Sequence, residues 1–175
     1  MTASLDAGPL RLFYALWPDE ATSQRLAQVQ ALAPGRAVHR DDFHITLAFL
    51  GEQPAGVLPL LEQILENLPQ AAMTLVLDRL AYFRRHRIAA LQMSAPPAAL
   101  LDLQAALAAE LLRCRIGFDH RRRFQPHITL ARNADAPADT VLAPPLVWQV
   151  GQGQAVLVQS APTAAGAKYR LLATH

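Results

Sequence analysis

Two of the six histidines in this 175-residue chain open identical pentapeptides. His44-Ile45-Thr46-Leu47-Ala48 recurs letter for letter as His127-Ile128-Thr129-Leu130-Ala131. Imidazole is the side chain whose ordinary pKa lets it give or take a proton near neutrality. A threonine hydroxyl can donate a hydrogen bond to an anionic oxygen. Ile, Thr and Leu favour a pleated strand. Side chains alternate faces along a strand, so His and Thr share one face and Ile and Leu the other. Two such strands facing each other would gather two imidazoles and two hydroxyls around a volume suited to a phosphate. In-line displacement at phosphorus needs a base on one side and an acid on the other. A neutral imidazole and an imidazolium can divide that work, while the hydroxyls hold non-bridging oxygens.

One His-x-Thr on a strand would ordinarily mean a half-exposed strand residue. Two copies with matched flanks favour a site. Phe43, Ile45, Leu47 and Phe49 are expected on the apolar face around the first copy, and Phe124, Pro126, Ile128 and Leu130 around the second. A zinc site is the nearest rival. No Asp, Glu or Cys stands at ligand spacing beside either motif, and Thr is a poor ligand, so no metal or cofactor is expected. Neither Cys114 nor any Ser sits in a recognisable nucleophile elbow. Among the remaining histidines, His39 reads as a surface residue. His86 and His120 sit among arginines and read as solvated or phosphate-contacting, and His175 is the last residue.

Composition bounds the class. The chain is long enough for one domain with a proper core, read here as residues 1–175. At 52% hydrophobic and 17% charged it is globular. No apolar run is long enough to span a membrane, and Met1 to Leu10 lacks the layout of a secretion signal. With Cys114 alone, no intramolecular disulfide can form. A cytoplasmic monomer is the default expectation. The formal net charge is +2, but Arg79 to Arg132 carries ten arginines against Asp102, Glu110 and Asp119. That asymmetry fits either a solvated arginine-rich face or a polyanionic partner.

Hydrophobic periodicity places the motifs. Arg11 to Trp17 reads as a central strand. Pro18-Asp19-Glu20 starts a helix striped by Leu26, Val29, Leu32 and Ala33, which Pro34-Gly35 ends. The first motif strand is expected from Val38 to Leu50. Val57 to Leu68 reads as a second helix. Met73 to Leu80 and Ile88 to Met93 read as strands joined by Arg84-Arg85-His86-Arg87. A third helix is expected from Ala98 to Cys114, and the second motif strand from Phe124 to Arg132. Asn133 to Pro145 reads as loop. Leu146 to Val150, Ala155 to Ser160 and Tyr169 to Ala173 read as strands. Each pentapeptide thus follows a strand and a helix, which marks a duplicated unit. The expectation is an α+β fold, mostly antiparallel, with two related lobes meeting at a groove.

The paired motifs resemble those of the two-histidine phosphoesterase superfamily. Within it the chain is similar to the bacterial RNA 2′,3′-cyclic phosphodiesterases, also called 2′-5′ RNA ligases. Arg11 to Pro18 resembles the family's opening strand. Phe43 to Gly51 and Pro126 to Arg132 resemble its two motifs, and Val156 to Ser160 with Gly166 and Tyr169-Arg170 resembles its ending. The resemblance implies hydrolysis of an RNA 2′,3′-cyclic phosphate to a 2′-phosphomonoester without a metal, and 2′-5′ ligation as the reverse. It implies that His44 donates a proton to the 3′ leaving oxygen, that His127 accepts one from water, and that Thr46 and Thr129 bind the phosphate. Arg132 would contact RNA only if its strand twists or ends there, because it lies on the opposite parity from Thr129. Arg84, Arg85, Arg87, Arg121, Arg122 and Arg123 would line an approach for the RNA backbone. Alternatives are a phosphodiesterase of cyclic nucleotides or 2′-5′ oligoadenylates with the same two histidines, and a protein that holds RNA ends without turnover.

Overall fold

The apolar run near the N-terminus forms the strand that both faces of the sheet bury. In a computed structural model, which describes residues 8–69, 72–121, 123–135, 139–164 and 166–175, β1 covers Leu10–Leu16 and Leu12 to Leu16 are all buried. There follow α1 (Glu20–Gln30), β2 (Arg36–Ala37), a 3₁₀ turn (Arg40–Asp42) and β3 (Ile45–Gln53). After a second 3₁₀ turn (Ala55–Val57) come α2 (Leu58–Glu66), β4 (Met73–Phe83), β5 (Ile88–Gln92) and α3 (Ala98–Arg113). The chain ends with β6 (His127–Arg132), β7 (Thr140–Val150), β8 (Ala155–Thr163) and β9 (Gly166–Thr174). The expected α+β class holds. Arg122 and Met1 to Ala7 lie outside the described residues.

The strands run β7-β4-β5-β6-β3-β1-β8-β9, with β2 attached to β6. Every pairing is antiparallel. Outward from the middle, β6-β5-β4-β7 mirrors β3-β1-β8-β9, which gives the two lobes. They join at one paired position, Ile45 with Ile128. Beyond it the motif strands part, and a groove opens on one face.

Helices fill the opposite face. Leu12, Tyr14 and Leu16 of β1 pack there with Ile45, Ile128 and Leu130, under Leu61, Ile64 and Leu65 of α2 and Leu100, Leu103, Leu107 and Leu111 of α3. Each such side chain contributes about 1.5–3 kcal/mol of burial. The Tyr14 hydroxyl donates to the Leu61 carbonyl at 2.7 Å. An otherwise costly buried polar group thereby ties β1 to α2. Asp19 caps α1 by accepting from the Thr22 amide, as the early acids of that segment predict.

The connections interlock the lobes. Helix α1 leaves β1 but leans on the other lobe, where Arg25 donates to the Val147 carbonyl of β7 and Gln30 to the Leu130 carbonyl of β6. Val38 also donates to the Leu130 carbonyl. In return, the segment after α3 reaches the first lobe. Asp119 donates to the Phe49 carbonyl, and Gln53 donates to the Gly117 carbonyl. Gly35 makes the first crossing possible. It has φ +106°, and a Cβ there would stand 2.7 Å from the Arg132 carbonyl oxygen.

Four expectations need correction. The first motif strand does not begin at Val38: a 3₁₀ turn intervenes, and β3 starts at Ile45. The second begins at His127, not Phe124. Leu32 is 64% exposed, because α1 ends before the stripe reaches it. Residues 140–145 belong to β7 rather than to a loop. That strand is at the sheet edge, where the register with β4 is broken between Leu77 and Arg79, so Pro144 and Pro145 interrupt no central ladder.

Candidate active site

The antiparallel Ile45–Ile128 pair fixes the site. It turns both isoleucines into the helix-side core and sets His44 beside Thr129 and Thr46 beside His127. All four line a groove of about 1130 Å³. Both histidines and both threonines thus share one groove.

The two imidazoles are anchored in the same way. Nδ1 of His44 donates to the Asp42 carbonyl at 2.6 Å, and Nδ1 of His127 to the Gln125 carbonyl at 2.8 Å. A carbonyl can only accept, so each ring carries its proton on Nδ1. Nε2 is then left to take or give a proton. Burial pushes both imidazoles below the ordinary histidine value. His44 falls to about 4, burial being the main cause, with the His127 imidazole and the Arg132 guanidinium adding to it. Both rings are therefore neutral in the open groove at neutral pH. A phosphate anion between them acts in the opposite sense and favours an imidazolium.

Their surroundings differ. The His44 ring stacks on Trp17, with centroids 5.1 Å apart and planes 4° apart. Phe13 closes a second side at 5.1 Å, and Tyr169 of β9 presents an edge at 5.3 Å. The His127 ring meets Phe83 edge-on at 4.9 Å.

Both motif strands carry a β-bulge at the same place. In β3, Ala48 pairs with Tyr14 but Thr46 with Ala15, so Leu47 is supernumerary. In β6, Ala131 pairs with Ala89 but Thr129 with Ala90, so Leu130 is supernumerary. The extra residue reverses the alternation beyond it. Phe49, expected on the apolar face with Ile45 and Leu47, instead lines the groove. Arg132 lines it too, despite its parity with respect to Thr129. The pentapeptide repeat contains the bulge, but a strict alternation hides it.

Other groove residues came without a sequence signal. Arg11 and Arg36 contribute charge, while Asp42 and Glu52 contribute carboxyl groups. His39 is exposed at the groove rim and caps the turn before β3. Arg84, Arg85, Arg87, Arg121 and Arg123 are exposed outside the groove lining. Arg87 pairs with Asp135 at 2.8 Å, and Arg121 lies 3.9 Å from Asp119. His86 and His120 are likewise exposed. His175 donates from Nε2 to the Leu68 carbonyl and does not line the groove. Among the described residues, no group of three or more His, Cys, Asp or Glu is placed to hold a metal ion. No helix among them is long and apolar enough to cross a membrane.

Comparison with known proteins agrees with this geometry. The model of the 2′-5′ RNA ligase superfamily matches residues 17–155. The RNA 2′,3′-cyclic phosphodiesterase of Escherichia coli K12 is 36% identical over 144 residues, 80% of this chain and 81% of that protein. Among solved structures, E. coli LigT complexed with 3′-AMP superposes with a TM-score of 0.83 at 30% identity, covering 95% of this chain and 97% of the other. E. coli LigT complexed with phosphate gives 0.81 at 28% identity, covering 97% and 98%.

Proposed function

The chain belongs to the 2′-5′ RNA ligase superfamily, and from that premise we propose that it hydrolyses the terminal 2′,3′-cyclic phosphate of RNA to a 2′-phosphomonoester. The observation that carries the reading is the pair of half-buried imidazoles on one groove, each with Nδ1 tied to a carbonyl and Nε2 left for proton transfer. Binding alone does not call for two such rings; arginine or lysine anchors an anion better.

In this reading the phosphate sits between the motifs. Thr46 and Thr129 donate to its non-bridging oxygens, and Arg132 offsets its charge. Neutral His127 takes the proton of the attacking water. His44, protonated as the anion enters, gives its proton to the departing 3′ oxygen. With a 5′-hydroxyl in place of water, the same base and acid would form a 2′-5′ linkage: His127 takes the hydroxyl proton, its oxygen bonds phosphorus, and the 3′ oxygen leaves with the proton from His44. The curated relative is named for RNA 2′,3′-cyclic phosphate chemistry, which supports the substrate. The proposal extends to a single bilobed unit over residues 1–175, acting as a monomer in the cytoplasm.

The test is incubation of the purified chain, in chelator, with an oligoribonucleotide ending in a 2′,3′-cyclic phosphate. The expected product is the 2′-phosphomonoester. A 3′-phosphate, or an unchanged cyclic end, would overturn the reading.

A further inference from the structure

The two lobes place different side chains opposite their histidines. On the second lobe, Gln92 of β5 pairs directly with His127. On the first, Leu16 pairs with Ile45, and the ladder continued by one residue sets Trp17 opposite His44. The Trp17 amide is held there by the Gln154 carbonyl, to which it donates at 2.8 Å. The same register point thus carries an indole beside one histidine and a carboxamide beside the other.

The indole meets its histidine face to face, with planes 4° apart and centroids 5.1 Å apart. It is itself fixed by the groove-side cluster of Phe13, Ala15, Val156 and Val158, and Tyr169 meets it in a T-shaped contact. Trp17 does not line the groove, so it acts through His44 and not on the substrate. With Nδ1 of His44 tied to the Asp42 carbonyl and the indole on one face, the ring plane is fixed and Nε2 keeps one direction. The indole also favours one charge state. A cation over an aromatic face is attracted by the ring quadrupole, most strongly by tryptophan. An imidazolium gains that attraction and a neutral imidazole does not. The charged groups around His44 do not replace it. His127 and Arg132 of β6 oppose a positive charge there, and the Asp42 carboxyl of its own turn interacts with His39. From β1 and β9 it meets only the rings of Phe13, Trp17 and Tyr169. His127 has no such stack; its ring contact is the edge-on one with Phe83.

Resting on the phosphodiesterase reading above, we propose that Trp17 is the positioning residue that makes His44 the proton donor. It aims the ring and supports the imidazolium that a bound phosphate calls for. Gln92, at the matching point, leaves His127 without that support and therefore neutral, as a base must be.

Two measurements test this, and the first needs no turnover. An imidazolium stacked on an indole quenches its fluorescence, so a pH titration of wild-type emission reads the His44 proton. Inorganic phosphate is expected to move the quenching midpoint to higher pH. Trp17→Phe leaves Trp148 as the sole indole, and it should lose this response. The absence of a phosphate-dependent quench in wild type overturns the proposal. The second measurement is kcat against pH on a cyclic-phosphate RNA end. Trp17→Gln, which copies the second lobe, is expected to move the basic limb to lower pH. Above that limb kcat should fall by about 2- to 30-fold, the range of one cation–π contact, with KM little changed. Trp17→Phe, which keeps a ring, should lose less. A nucleotide p-nitrophenyl ester needs no donated proton, so the loss should largely disappear on it. An unmoved basic limb, or an equal loss on both substrates, overturns the assignment. If wild type cleaves no cyclic end, the parent reading fails, and the fluorescence titration still decides whether Trp17 holds an imidazolium.

Discussion

The lobe that carries His44 and the lobe that carries His127 are each a row of four antiparallel strands, yet they treat their histidines differently. Both fix Nδ1 with a carbonyl two residues upstream. Both place a threonine two residues downstream and a bulge immediately after it. His44, however, is enclosed by Trp17, Phe13 and Tyr169, whereas His127 meets Phe83. The duplicated backbone delivers two equal proton carriers. The residues outside the repeat make them unequal, and an acid–base reaction needs that inequality.

The largest expected effect comes from the histidines. His44→Ala and His127→Ala should each lower kcat on a cyclic-phosphate RNA end by about 10²–10⁴-fold. A nucleotide ester whose leaving group is p-nitrophenolate separates the two. That anion departs without a proton, so it should restore much of the rate to the His44 variant and little to the His127 variant. Rescue of the His127 variant instead would reverse the assignment of acid and base.

Next come the groups that hold the phosphate. Thr46→Val and Thr129→Val should each cost about 10- to 100-fold in kcat/KM, as expected for a lost hydrogen bond to a charged group. Arg132→Gln should cost a similar amount and flatten the dependence of KM on salt, because it alone removes a charge. If Thr46→Val were silent and Thr129→Val severe, the phosphate would be held by one lobe only.

A smaller effect separates the lobes by pH. Burial lowers the folded-state pKa of His44 to about 4. Below about pH 6.5 the unfolded chain therefore binds a proton that the folded chain refuses. Stability from this group is complete above that pH and declines as pH falls toward 4, by about 3 kcal/mol in all. His44→Phe, which keeps a ring in the aromatic enclosure, should remove this acid decline in denaturant titrations. His127→Phe should remove a decline of the same sign. An unchanged pH–stability curve in His44→Phe would show that the ring titrates normally.

Much of this was legible in the chain. The duplicated pentapeptide names His44, Thr46, His127 and Thr129, and strand alternation turns them to one face. The stripe of α3 and the apolar run of β1 are equally plain. Arg132 was named only on the condition that its strand twist or end there, and Phe49 was expected on the other face, because a bulge of one residue reverses parity and no letter marks it. The segment 140–145 misled because alanine and proline discourage strands in general, yet an edge strand tolerates them. Arginine clusters drew attention at 84–87 and 121–123, while the groove uses the scattered Arg11, Arg36 and Arg132.

The chain by itself determined which groups perform the chemistry and that they come as a matched pair, since residue type and a period of two are local properties. The tertiary structure decided how they differ. Tyr169 reaches His44 from β9, 125 positions further along the chain, and Glu52 meets Arg11 through cross-strand register. Such contacts follow from how strands are ordered in a sheet, and short-range sequence patterns do not encode that order.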